Sequence, residues 1–210
     1  MSVATKQVIA PSPEAKADFQ REPFVRHRFE LSSASVERVR AASWSFGFGA
    51  FSEIVYHDNY ARRMPNGRLE SWPDTILRVV NGVMSIRKDW YLRNRLRWDG
   101  GRWAEVAEEM ALAFLARRCG PPGRGYFAMG SDFVYERGGF ALINCSATKV
   151  RPETVDRDLG WATDALMCGS GVGFECVPRA LHLSEPEGFP VTYVVPDTRE
   201  GWVESVEVLV

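Results

Sequence analysis

Between residues 30 and 120 apolar side chains recur at helical spacing in three places. Val36 and Val39 outline a short helix after Ser32 or Ser33. Ile76, Val79, Val80, Val83 and Ile86 fall three or four residues apart, the period of a helix that buries one face. Ser71, Pro73 and Asp74 stand where an N-terminal capping arrangement needs them. Trp103, Val106, Ala107, Met110, Ala111, Phe114 and Leu115 form the strongest stripe, and the Gly-Pro-Pro-Gly at 120–123 stops it, because proline cannot continue the ladder. Residues 43–51 are aromatic and glycine-rich without a period and predict a packed loop; Ile54-Val55-Tyr56 predicts a short strand. The expectation is a helical subdomain over 30–120, preceded by a flexible polar arm over 1–29.

Beyond Gly123 the pattern changes. Residues 140–145 are a short, almost continuous apolar run, suited to a strand buried on both faces. Val155, Leu159, Ala162 and Leu166 return to helical spacing, and residues 172–177 and 191–195 predict further strands. Strand, helix, strand is the order that opens an α/β domain with parallel strands, here over 121–210. A last helix opens near Asp197, with Trp202, Val206, Leu209 and Val210 on one face. It carries no capping glycine or basic last turn, and a sheet of two or three strands leaves an open edge, so the fold is expected to continue in further sequence.

Composition narrows the function classes. Apolar residues make up 45% of 210, with seven Trp and twelve Phe, enough for a core. A net charge of -1 gives no field to gather nucleic acid or a membrane surface. No apolar run approaches the roughly 20 residues of a membrane span. Residues 2–22 lack an apolar signal core, so a cytoplasmic protein is expected. Cys119, Cys145, Cys168 and Cys176 show no C-x-x-C spacing and the three histidines are scattered, so neither a metal site nor a disulfide framework is expected.

Three stretches could carry chemistry. Gly169-Ser170-Gly171-Val172-Gly173 could let backbone N–H groups approach an anion or a ribose, or be a structural turn. It follows a helix and opens a strand, the reverse of a dinucleotide fingerprint, and lacks a P-loop lysine. Asn144-Cys145-Ser146 ends the predicted strand of 140–145, so Cys145 is either a redox-active thiol at a strand end or a small buried hydrophobe. Residues 123–132 hold small residues and Ser131, a phosphate contact or an ordinary surface loop.

In order along the chain these stretches resemble a known family. Phe46-Gly47-Phe48-Gly49 to Tyr60-Ala61-Arg62, Trp72-Pro73-Asp74-Thr75 and Ser85-Ile86-Arg87-Lys88-Asp89-Trp90-Tyr91 are similar to the N-terminal segment of class II, adenosylcobalamin-dependent ribonucleotide reductases. Pro121-Pro122-Gly123-Arg124-Gly125 to Ala128-Met129-Gly130, then Phe133 to Gly138, resemble the ribonucleoside-triphosphate reductase branch. Asn144-Cys145, the 169–173 loop and Pro196-Asp197-Thr198-Arg199-Glu200-Gly201-Trp202 complete the match, from about residue 30 onward.

The resemblance implies the first strands of a ten-stranded α/β barrel after a helical N-terminal region. It implies reduction of the ribose 2′-carbon by radical chemistry that adenosylcobalamin starts, with a thiyl cysteine and two reducing cysteines. By the same resemblance Cys145 is the first reducing cysteine. Ser131 falls near the substrate phosphate, and Asn144, Gly171 and Gly173 fall beside the nucleotide. A ribonucleotide substrate, a nucleotide effector and a thioredoxin-type reductant follow as partners. The thiyl cysteine, its nearby glutamate, the second reducing cysteine, the C-terminal re-reducing cysteines and most of the cobalamin site have no counterpart in these residues, and no N-terminal ATP-binding cone is seen. An inactive N-terminal portion is expected, awaiting a complementary catalytic chain or cut short in its reading frame. The alternatives are a non-catalytic nucleotide-binding or regulatory remnant and a plain helical interaction domain.

Overall fold

The computed structural model describes residues 6–7, 23–47, 49–175 and 191–209. They fall into two compact units, one of residues 23–142 and one of residues 143–210 with 1–22.

The first unit is helical: α1 Ser33–Ala41, α2 Ala50–Asn59, α3 Trp72–Arg93, α4 Gly100–Leu115, α5 Gly123–Ala128, α6 Asp132–Arg137 and a 3-10 turn, Gly139–Leu142. Each of the longer predicted helices begins at a side-chain cap. Ser32 accepts from the Ser35 amide, and Asp99 from the Arg102 amide. Ser71 and Asp74 close a reciprocal capping box at the start of α3. The core is the predicted stripes meeting. Ile76, Val80 and Met84 of α3 pack with Trp103, Ala107, Ala111 and Leu115 of α4, and Val39, Tyr56, Phe29 and Leu31 close the cluster. Each large aliphatic side chain so buried contributes about 1.5–3 kcal/mol.

Several expectations are corrected here. Residues 54–56 are helix α2, not a strand; Tyr56 alone of the three is buried, and a run so short does not carry a period. The loop expected over 43–51 gives way to α2 at Ala50. Residues 23–29 pack rather than trail: Val25 and Phe29 are buried, Asp89 accepts from the Arg26 and His27 amides at 2.9 and 3.0 Å, and Ser85 Oγ accepts from the Phe29 amide. Helix α4 ends at Leu115, with Arg117 in the left-handed region (φ 56°), before the Gly-Pro-Pro-Gly is reached. Residues 123–137 form two short helices, with one turn between them, rather than a surface loop.

In the second unit, β2 Cys145–Thr148 and β3 Gly171–Phe174 pair in parallel, joined by a 3-10 turn, Pro152–Thr154, and by α7 Val155–Met167, which packs on both strands. Helix α8 Arg199–Leu209 packs along α7. A second short parallel pair joins β1 Lys6–Gln7 to β4 Val191–Thr192. The strand–helix–strand order expected from the pattern is therefore present, but its first strand is displaced. Cys145 begins β2, where the apolar run was expected to end it, and residues 140–142 of the run lie in the 3-10 turn. Ala141 and Leu142 prefer a local apolar cluster with Ala128, Val134 and Ile86. Nor is β2 buried on both faces: Cys145 and Ala147 are exposed. Of the strands expected over 172–177 and 191–195, β3 covers 171–174 and β4 covers 191–192; Glu175 and residues 193–195 are not strand, and Cys176 and Val177 lie outside the described residues. None of the described helices is long and apolar enough to cross a membrane.

Candidate functional site

The second unit places Cys145 opposite Gly171. The two are Cα partners in the β2–β3 register, and the Gly171 amide donates to the Asn144 carbonyl at 2.8 Å. Side chains alternate across a strand, so Cys145 and Ala147 share a face with their partners Gly171 and Gly173. All four are exposed, while Ser146, Thr148 and Val172 make the half-buried face. Neither glycine is forced by its surroundings. A Cβ on Gly171 or Gly173 would meet only a carbonyl oxygen at 3.7 or 3.8 Å, ordinary contact, and neither has a positive φ. Their effect is to leave the strand beside the Cys145 thiol bare of side chains.

The loop leading into β3 is held from below. Gly169 takes φ 79°, which an L side chain resists, and its amide and that of Ser170 bond back to Leu166 and Ala165. Ser170 is buried, and its hydroxyl lies 3.3 Å from that of Ser146, which ties the loop to β2. Arg199, at the start of α8, donates to Asp164 Oδ1 at 2.7 Å and to Cys168 Sγ at 3.0 Å, fixing the end of α7 where the loop departs. Cys168 is buried in this packing. The sequence pointed to the stretch around Arg199 as family pattern but to no role for it; its contacts are across the fold and leave no local signature.

The first unit holds Ser131. It stands at the N-cap position of α6 and is buried, and its side chain makes no capping hydrogen bond. The segment before it is anchored by a buried ion pair that sequence reasoning missed. Arg78 Nε donates to Glu70 Oε1 at 2.6 Å and Arg78 Nη2 to Glu70 Oε2 at 2.9 Å. The same guanidinium donates to the carbonyls of Met129 (2.5 Å) and Tyr126 (2.9 Å). Beneath it Tyr56 donates its hydroxyl proton to the Glu70 carbonyl, and burial pushes its pKa up to about 12. Elsewhere in this unit an open groove of about 530 Å³ is lined by Phe46, Phe51, Val55, Tyr60, Trp72 and Tyr126, with no charged residue among its walls. No group of three or more His, Cys, Asp or Glu able to hold a metal ion occurs among the described residues.

Comparison with known proteins points in one direction. A family model described as the ribonucleotide reductase alpha domain matches residues 31–131. The adenosylcobalamin-dependent ribonucleoside-triphosphate reductase of Euglena gracilis is 37% identical over 189 residues, covering 86% of this chain and 26% of that protein. A probable adenosylcobalamin-dependent ribonucleoside-triphosphate reductase of Dictyostelium discoideum is 32% identical over 202 residues, covering 86% of this chain and 27% of its own length. The crystal structure of a B-12 dependent (class II) ribonucleotide reductase superposes with a TM-score of 0.66 at 25% identity, over 86% of this chain and 32% of that one. The chain thus spans about a quarter of the length of these curated relatives.

Proposed function

We propose, for a chain whose residues 31–131 belong to the ribonucleotide reductase alpha domain family, that it supplies the N-terminal helical region and the first barrel strands of a cytoplasmic enzyme reducing ribonucleotides to 2′-deoxyribonucleotides. The observation that carries this reading is Cys145: an exposed thiol at the start of β2, beside a partner strand whose facing positions are both glycine. Reduction of a ribose replaces the 2′-hydroxyl by hydrogen and releases water. The two electrons come from a pair of thiols that becomes a disulfide. Cys145 is one thiol of that pair. By the family resemblance Gly171, Gly173 and Asn144 are nucleotide contacts, and Ser131 is a phosphate contact through its hydroxyl.

Cys168 is not the second thiol in this reading, since it is buried and engaged by Arg199. By the family resemblance the second cysteine of the pair stands in sequence other than these 210 residues, and an external thioredoxin-type dithiol reduces the disulfide afterwards. Adenosylcobalamin, on which the relatives by name depend, would initiate the radical reaction. By the same resemblance most of its site lies outside these 210 residues; the groove of the helical unit is apolar, open and walled by aromatic rings. A nucleotide effector belongs to the complete enzyme in the same way.

The test is complementation. The 210-residue chain is mixed with the downstream polypeptide of a relative, adenosylcobalamin, a ribonucleoside triphosphate and a dithiol. Deoxynucleotide should form in the mixture and not with the 210-residue chain alone. Nucleotide binding without turnover in the mixture would favour the regulatory alternative, and turnover by the chain alone would overturn the division of labour proposed here.

A further inference from the structure

We infer that Arg78 is a positioning residue that fixes the Gly130–Ser131 turn for phosphate contact, an inference that rests on the role proposed for Ser131. Three observations carry it. First, one guanidinium spans from a carboxylate to two backbone carbonyls. It holds Glu70 through two bonds and takes the carbonyls of Tyr126 and Met129, the residues that lead into Gly130 and Ser131. Second, the carboxylate is itself fixed: Glu70 Oε2 also accepts from Thr75 Oγ1 at 2.8 Å and from the Arg62 amide at 3.2 Å. Third, the turn rests directly on the backbone of α3. A Cβ on Gly82 would stand 2.5 Å from the Gly130 nitrogen and 2.6 Å from its Cα, and Gly130 takes φ 76°.

The chemistry favours placement over charge. Arg78 and Glu70 have side chains only 13% and 8% exposed and neutralise each other, so Arg78 has little net charge to offer a phosphate. A buried ion pair is also a poor source of stability, because desolvation offsets most of the attraction. What a planar fork with five donors supplies is geometry: it sets two carbonyls at fixed angles at once, which an ammonium does not do. The consequence falls on the next residues along the chain, where Ser131 is buried at the N-cap of α6 and spends no side-chain bond on capping that helix.

The experiment uses the 210-residue chain with ATP as probe, titrated by calorimetry against the native protein, Arg78→Lys, Ser131→Ala and the double variant. Arg78→Lys and Ser131→Ala should each weaken ATP by about tenfold or more. The double variant should be no weaker than Ser131→Ala, because two residues acting through one contact are not additive. Amide hydrogen exchange at 130–132 should quicken in Arg78→Lys while α4 stays protected. If Arg78→Lys does not fold, as judged by circular dichroism, Glu70→Gln takes its place with the same expected pattern. Native affinity in the Arg78 variant, with Ser131→Ala weakened, would overturn the inference and leave the Ser131 reading standing. So would additive losses in the double variant. No ATP binding by the native chain would overturn the Ser131 reading, and this inference with it.

Discussion

At the scale of single residues, environment decides which groups can do chemistry. Cys145 is exposed and borders a strand face without side chains, whereas Cys168 is buried and holds Arg199. Iodoacetamide should therefore alkylate Cys145 well before Cys168, read by peptide mass spectrometry; equal rates would remove the distinction on which the assignment depends. If Cys145 has the role proposed for it, Cys145→Ser in the complementation mixture should abolish deoxynucleotide formation and leave nucleotide binding intact, because serine keeps the shape and cannot form the disulfide. Glu108 shows the same logic at a structural site. Hydrogen bonds from Arg38, then from Ser35, hold its carboxyl down at about 2. An unfolded glutamate titrates near about 4.3. A depressed carboxylate stabilises the fold fully above the unfolded value, and that contribution is lost as pH falls through the folded one. The stability difference between the native chain and Glu108→Gln should thus be constant from neutral pH to about 5 and should vanish as pH falls from about 4 towards 2, measured by urea midpoints.

At the scale of elements, local signals were legible where they were redundant. Helix α3 announced itself through Ser71, Pro73 and Asp74 as well as through its apolar period, and α4 through seven residues on one face. Ser71→Ala should cost about 1 kcal/mol of stability by losing the cap, seen in denaturant unfolding of the helical unit. Where an element is short, its pattern was ambiguous. The run at 140–145 has the composition of a strand, yet Ala141 and Leu142 bury more by turning into a cluster with Ala128 and Val134. Helix α2 shows only Tyr56 to the core, so no stripe marked it. Cys145, Gly171 and Gly173 could be named from sequence, but their shared face needed the β2–β3 register. Long-range contacts such as those from Arg78 to the Met129 and Tyr126 carbonyls leave no spacing to read. Gly82 is the sharpest case. Within a helix, alanine should be better than glycine by about 1 kcal/mol. Here its Cβ would collide with the Gly130 backbone, and overpacking costs about 1–3 kcal/mol. Gly82→Ala should destabilise the helical unit, measured by its thermal midpoint, and a stabilised variant would show that the turn at Gly130 can move away freely.

At the scale of the whole molecule the two units differ in what they bury. The helical unit closes over Ile76, Val79, Val80, Met84 and Leu115, all at 6% exposure or less. In residues 143–209 the buried apolar side chains among the described residues are Ala162, Ala165 and Cys168, which are small. The same stretch leaves Trp202 52%, Leu166 55%, Val194 73% and Leu209 86% exposed. Single exposed apolar residues are ordinary, but this many beside so thin a core are not. Helix α8 explains part of it. It meets α7 at Gly160, where a Cβ would collide with the Glu207 side chain, while Gly201 is buried against Pro196 and Trp202 and Leu209 stay exposed. Stability follows buried apolar area, so the two units should open at different free energies. Hydrogen exchange should protect the amides of α3 and α4 far longer than those of β2, β3 and α7. Light scattering should find the 210-residue chain associating as its concentration rises, and Trp202→Ser with Leu209→Ser should reduce that association without changing exchange in the helical unit. A concentration-independent monomer with uniform protection across both units would mean that the outward apolar side chains are tolerated singly.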